Sequence, residues 1–262
     1  MVKGVYRLSL SKKIKNVLRI ALIKSLILLG KNDSESFVLA YHEVNENDKL
    51  KPAFFEYQIR YYLKKGYTFI SNVEELNKSK RILITFDDAY ASFKSIVLPT
   101  LSKYNIPCIL FVPTKYLGKK LIDGISKKEN QKRKIISKKD LRVVSQNKLV
   151  IIGCHTHSHL DVNTTSYSFV REDVQHSKKI IERLTGEKCI HFCYPQGRVN
   201  KIIVNIIQGL GFKYAFTAKQ NSFKVCKDYL RIPRYTGDYF LNKDFLDLSR
   251  SSNCGRYMRW FA

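Results

Sequence analysis

The chain is short of acidic residues. Its 262 residues carry 22 Asp and Glu against 47 Lys and Arg, a formal net charge of +25. Such a field favours anionic partners, whether acidic phospholipid, nucleic acid or a phosphate-linked sugar, and says nothing about fold. The chain also lacks a CxxC pair and the dense cysteine spacing of a small disulfide scaffold. Cys108, Cys154, Cys189, Cys193, Cys226 and Cys254 mostly sit inside apolar runs, which reads as buried free thiols and leans toward a reducing compartment. The even count leaves disulfides open. No apolar stretch reaches the roughly 20 residues of a spanning helix. The nearest, within residues 1–30, is interrupted by Lys24 and has no small-residue cleavage site. There is no internal repeat, no low-complexity tract and no linker that would split off a second folded domain. Basic residues are spread along the chain without a recognition motif, so nucleic acid is not an expected partner.

What is present divides at about residue 33. Residues 1–33 hold Leu18, Ala21, Leu22, Leu26 and Leu29 at helical spacing among Lys and Arg. They read either as a basic amphipathic helix docking on an anionic membrane surface or as a helix packed on the rest of the protein, with a signal peptide as the third alternative. Residues 34–262 read as one α/β domain. Apolar strands are expected at 37–41, 67–70, 81–86, 107–112, 149–152 and 189–194, with 213–217 extended. Helices are expected at 53–65, closed by Gly66, then up to Tyr104, at 168–184 and at 199–209. Ser71-Asn-Val-Glu74 has capping-box spacing and starts a short helix. Residues 118–139, rich in Lys and Arg, read as a surface insertion with a helix starting near Ser137. Strands alternating with helices imply parallel pairing under a helical cover.

Three short sequences close expected strands, where α/β folds place their active sites. Thr85-Phe-Asp-Asp-Ala-Tyr90 puts two carboxylates side by side. Buried together they would repel, and a divalent cation relieves this by binding one and leaving the other free as a base. A pair of helix N-cap acids is the alternative. Gly153-Cys-His-Thr-His-Ser-His159 carries three of the six histidines within five positions. His155 and His159, at i and i+4, would face one side of a helical turn and suit Zn²⁺ or a similar metal, with His157 pointing elsewhere. His191-Phe-Cys-Tyr-Pro-Gln-Gly197 ends in a turn shaped by Pro195 and Gly197. Asp88, His155 and His159 make a two-His, one-carboxylate set whose open positions mark a catalytic metal, and Asp87 beside it can take a proton from water.

Together these segments resemble the polysaccharide deacetylase family, also called NodB-homology proteins or carbohydrate esterase family 4. Its first motif, T-F-D-D-G-Y, is matched by Thr85–Tyr90, its second, H-[ST]-x-x-[HD], by His155–His159, and a Y-P-x-G form of its third by Tyr194–Gly197. The match runs from about Phe37 to about Arg234. It implies a distorted (β/α) barrel of about seven parallel strands. It implies Asp87 as general base, and Asp88, His155 and His159 as ligands of a divalent metal, Zn²⁺ first, with Co²⁺, Ni²⁺ or Mn²⁺ as alternatives. Tyr194, Pro195, Gln196 and Gly197 would form the substrate and oxyanion turn, with a backbone N–H near Gln196 as donor.

Two positions depart from the family pattern. Cys193 replaces the arginine that often opens the third motif, and no Leu-x-His motif follows, since the last histidine is His191. The subgroup acting on exported poly-N-acetylglucosamine carries its strand and histidine first, as Phe37–His42 does here. That resemblance points to His42 as the acid that protonates the leaving amine; a histidine packed at a strand end is the alternative. Arg234 would stand in for the missing arginine by orienting Asp87. The implied activity is N-deacetylation of N-acetylhexosamine units in a polysaccharide or lipid-linked glycan. An O-acetyl carbohydrate esterase, or a catalytically weak carbohydrate- or membrane-binding homologue, are the alternatives. Free thiols and the basic N-terminus suggest the cytoplasmic face of a membrane, whereas the poly-N-acetylglucosamine subgroup suggests the cell exterior.

Overall fold

The computed structural model describes residues 35–119, 133–223, 228–239, 241, 243–250 and 254. The amphipathic segment expected in residues 1–33 lies outside the described residues, as do Cys226 and most of the basic insertion. Among the described residues there are eight strands, β1 (Phe37–Tyr41), β2 (Thr68–Ile70), β3 (Arg81–Phe86), β4 (Cys108–Val112), β5 (Val150–Cys154), β6 (His191–Cys193), β7 (Tyr214–Phe216) and β8 (Tyr235–Thr236). They pair in the order β7-β6-β5-β4-β3-β1-β8, with β2 beside β3, and every pairing is parallel.

The helices are α1 (Pro52–Lys64), α2 (Leu98–Lys103), α3 (Lys138–Ser145), α4 (Tyr167–Thr185), α5 (Lys201–Gly209) and α6 (Lys243–Ser249). Their ends follow local chemistry. Pro52 opens α1, Ser137 caps the Asp140 amide of α3, Asn200 caps the Ile203 amide of α5, and Gly186, left-handed at φ 77, ends α4. Two expectations change. The short helix after β2 is a 3₁₀ turn (Val73–Asn77) capped by Asn72 rather than Ser71. The helix expected up to Tyr104 begins as a π-helical turn (Phe93–Val97) before α2. The wider turn sits directly before Pro99, which has no N–H to donate.

Pleating sorts the strands into two faces. Phe37, Leu39, Tyr41, Ile82, Ile84, Phe86, Cys108, Leu110 and Val112 pack outward under the helices in the larger core. Val38, Leu83, Ile109, Phe111, Cys193, Phe216 and Ile232 form a second core inside the curl of the sheet. The curl is closed by residues 232–236. Ile232 donates to the Ala215 carbonyl and accepts from the Thr217 amide on the β7 side, while Tyr235 and Thr236 pair with Leu39 and Ala40 of β1. The result is a distorted (β/α) barrel whose last strand, β8, is only two residues long.

Candidate metal centre and catalytic pocket

The inward rows continue past the apolar core and become the site. Two residues beyond Leu83 is Thr85, and two beyond that is Asp87. Val38 leads to Ala40 and His42, and Ile232 to Arg234 and Thr236. Ala40, His42, Asp87, Arg234 and Thr236 line one cavity of about 300 Å³, together with Asp88, His155, His159, Gln196 and Gly197. The period of two that buries an apolar floor therefore also delivers the polar groups above it.

Asp88, His155 and His159 converge. Asp88 Oδ1 lies 3.7 Å from His155 Nε2 and 3.4 Å from His159 Nε2. That oxygen is buried and accepts no hydrogen bond. A bare buried carboxylate oxygen is costly, and facing two imidazole nitrogens it has the chemistry of a metal ligand. Asp88 Oδ2 accepts from the Tyr90 hydroxyl at 3.2 Å. His155 Nδ1 donates to the Cys193 carbonyl at 2.8 Å, which fixes the tautomer and turns the Nε2 lone pair into the site. Burial pushes the His155 imidazole down to about 4, so it is neutral at physiological pH, as a ligand must be.

The two histidines do not ride on a helical turn, contrary to the reading of their spacing. Residues 155–159 form an irregular loop after β5 in which Thr156 (φ 63) and His159 (φ 53) are left-handed. Asp88 (φ 66), Ala89 (φ 53) and Gln196 (φ 57) are left-handed too. Only two other described non-glycine residues share this conformation, Lys80 and Asn105, so the strain gathers at the site. His157 points away, its Nδ1 2.8 Å from Thr114 Oγ1 and its ring against that of His176.

Asp87 is 5% exposed and engaged by Arg234, whose Nη1 and Nη2 each donate to one carboxylate oxygen at 2.8 Å. Burial would raise the carboxyl's pKa. The guanidinium charge and its two bonds outweigh burial and hold the group well below the usual carboxylate range. Arg234 is fixed in turn by the Thr217 carbonyl, 2.9 Å from Nε, and by Thr85 Oγ1, 3.0 Å from Nη1. Cys193 Sγ lies 3.6 Å from both Asp87 oxygens, and burial pushes its thiol well up, so it stays protonated. Asp87, His155 and Cys193 are also close enough to share an ion. Asp87 is already charge-paired with Arg234 and Cys193 holds its proton, whereas Asp88 Oδ1 has no partner, so the Asp88 set is the better cradle.

Across the cavity His42 Nδ1 sits 2.7 Å from Asp238 Oδ2. Burial opposes its charge, but the Asp238 hydrogen bond and charge push its pKa up to about 9. Asp238 is held by the turn at Gly237, whose carbonyl accepts from Gln58 and whose missing Cβ leaves room for the Tyr41 ring. Reading the motifs alone misses Asp238, Thr236 and Arg133, and gives Tyr90, which closes the first motif, no role of its own. The signal for Thr236 is the alternation Ile232, Arg234, Thr236, and Asp238 follows it in the 3₁₀ turn Gly237–Tyr239. Arg133 has no such signal. It pairs with Glu43 at 3.0 Å and Asp48 at 2.6 Å and lies over the Tyr90 ring.

In the third motif, Gln196 and Gly197 line the cavity. Tyr194 and Pro195 are buried behind it, and the Tyr194 hydroxyl donates to the Leu230 carbonyl at 2.9 Å. Those two shape the turn, and their side chains do not face the pocket. Gly197 (φ 68) has Ala218 backbone where a Cβ would be.

The polysaccharide deacetylase profile matches residues 75–215, over half of the chain. The chain belongs to the polysaccharide deacetylase family. A putative polysaccharide deacetylase of Bacillus subtilis, YxkH, is 22% identical over 192 residues, 70% of this chain and 64% of that protein. This chain thus matches less than two thirds of YxkH's length. The poly-beta-1,6-N-acetyl-D-glucosamine N-deacetylase of Staphylococcus aureus is 24% identical over 204 residues, 72% of this chain and 68% of the relative. Among solved structures, IcaB from Ammonifex degensii superposes with a TM-score of 0.67 at 22% identity, covering 78% of this chain and 91% of that one. The fold is that of these deacetylases.

Proposed function

We propose that the protein is a metal-dependent hydrolase that removes N-acetyl groups from N-acetylhexosamine units of a polysaccharide or a lipid-linked glycan. The observation that carries this reading is one pocket in which a bare carboxylate oxygen faces two imidazoles, with Asp87 paired to Arg234 on one side and His42 paired to Asp238 on the other. Asp88, His155 and His159 would hold the metal, with Zn²⁺ favoured by two histidines and a carboxylate, and Co²⁺, Ni²⁺ or Mn²⁺ as alternatives. When bound, such an ion polarises the acetyl carbonyl and makes water a better acid.

The remaining steps belong to the chain. Asp87, kept ionised and aimed by Arg234, takes the proton of the attacking water. The backbone N–H of Gln196 donates to the oxygen that gains charge as the carbonyl becomes tetrahedral. His42, charged below about pH 9, gives its proton to the nitrogen as the C–N bond breaks, leaving acetate and a free amine. The paired base and acid weigh against an inert homologue. The poly-N-acetylglucosamine activity named for the S. aureus relative, and the strand-first position of His42, support an N-acetylhexosamine substrate.

The test is acetate release by metal-loaded protein from β-1,6-linked N-acetylglucosamine oligomers, from a lipid-linked N-acetyl sugar and from acetylated xylan. Release from the first or second supports the proposal. Release from xylan alone would make the protein an O-acetyl esterase. In Asp87→Asn, metal content should be unchanged and kcat should fall at least about 100-fold, the loss expected of a general base.

A further inference from the structure

The loop between the two histidine ligands has no helix to hold it, and two of its five residues are left-handed. Left-handed backbone in a β-branched residue such as Thr156 persists only where the surroundings over-determine it. The structure assigns that task to Asp173, on the second turn of α4. We infer that Asp173 is a positioning residue that sets the affinity of the metal centre; this rests on the metal reading above.

Asp173 is 6% exposed, and no Lys or Arg among the described residues forms an ion pair with it. Its oxygens point at the loop instead. Oδ1 accepts the His157 amide at 2.6 Å, and Oδ2 accepts the Ser158 amide at 3.1 Å and the Ser158 hydroxyl at 2.5 Å. A buried carboxylate without a cation is tolerated only when donors surround it. Here the donors are the peptides between His155 and His159, so the anion and the loop require each other.

One helical turn further on, Ser177 extends the grip. Its hydroxyl donates to the Thr156 carbonyl at 2.9 Å and accepts from Thr114 Oγ1 at 3.1 Å. Thr114 in turn meets His157 Nδ1. Two residues four apart on one rigid helix thus hold peptides 156, 157 and 158 from behind, while the side chains on either end face Asp88. Support of this kind is what keeps ligands in place when no ion is bound.

In Asp173→Asn one oxygen becomes an NH₂ group set against the Ser158 donors. The loop then relaxes and metal binding weakens. The expected loss is about 10–100-fold in affinity, the range seen when groups supporting metal ligands are removed. The experiment is a Co²⁺ titration of the full-length apoprotein followed by visible absorption, with Zn²⁺ competition, at a temperature well below the apoprotein's Tm. It compares the unaltered chain with Asp173→Asn, Ser158→Ala, Ser177→Ala and Thr185→Ala. The last removes a hydroxyl on the same helix that bonds Ile181, far from the loop, and should leave affinity unchanged. Weaker binding in Asp173→Asn, with smaller losses in Ser158→Ala and Ser177→Ala, supports the inference. An Asp173→Asn protein with a lowered Tm but unchanged metal affinity makes Asp173 merely structural and overturns it. If Asp173→Asn does not fold, unchanged affinity in both serine variants overturns it equally. If the unaltered chain binds no metal, the metal reading itself fails, whatever the variants do.

Discussion

Asp87 gives both carboxylate oxygens to Arg234, whereas its neighbour Asp88 keeps one oxygen bare. The peptide between them separates the two roles, because Asp87 continues the inward row of β3 while Asp88 turns left-handed at φ 66. Replacing Arg234 by Met leaves Asp87 buried and unpaired. The expected cost is about 3–5 kcal/mol, read as a fall in Tm of roughly 10 °C. His42 makes the pH prediction. Its pKa is raised, to about 9, so its charged form and the stability that charge contributes are fully present below the ordinary histidine value and are lost as pH rises through about 9. As the acid, it should give kcat/KM an alkaline limb near pH 9. In Asp238→Asn that limb should move down toward the ordinary histidine value of about 6.5. A pH–rate profile for each protein checks this, and an unmoved limb removes the His42–Asp238 pair from the mechanism. The motif residues were legible because carboxylate pairs and histidine clusters are rare side by side. Asp238 was not, because a single Asp after Gly looks like any turn.

Strands were legible in position because parallel strands buried on both faces read as unbroken apolar runs, as Cys108–Val112 does. Which face held the site was not legible from the runs themselves, since both faces are apolar until the polar residues at their ends break the tie. Residues 155–159 show the limit of a spacing argument. The i, i+4 rule brought His155 and His159 together, but the path is an irregular loop whose geometry depends on α4. The third motif depends on its glycine in the same way. Gly197 is left-handed and has no room for a Cβ against Ala218. Gly197→Ala should cost at least about 1–3 kcal/mol in chemical denaturation and displace Gln196, lowering kcat more than it raises KM.

For the whole molecule, the +25 charge and the barrel are separate properties, one read from composition and the other from patterning. No helix among the described residues is long and apolar enough to cross a membrane. Surface docking through residues 1–33 is a proposal with a direct test. A chain lacking them should keep its Tm and its acetate release from soluble oligomers, while its binding to vesicles containing anionic lipid drops at low salt. Equal vesicle binding by both chains would remove that role. The short wall at 232–236 has a consequence for how the protein is made. His159 is the last residue of the proposed ligand set, yet Arg234 is synthesised 75 residues later (234 − 159). At roughly 5–20 residues per second that gap is about 4–15 s. Until Arg234 is made, Asp87 lacks the cation that pairs with it and β1 lacks its neighbour β8. Arg234 and β8 are therefore made after every other strand of the sheet, so closing the barrel and neutralising Asp87 fall together in one step of folding.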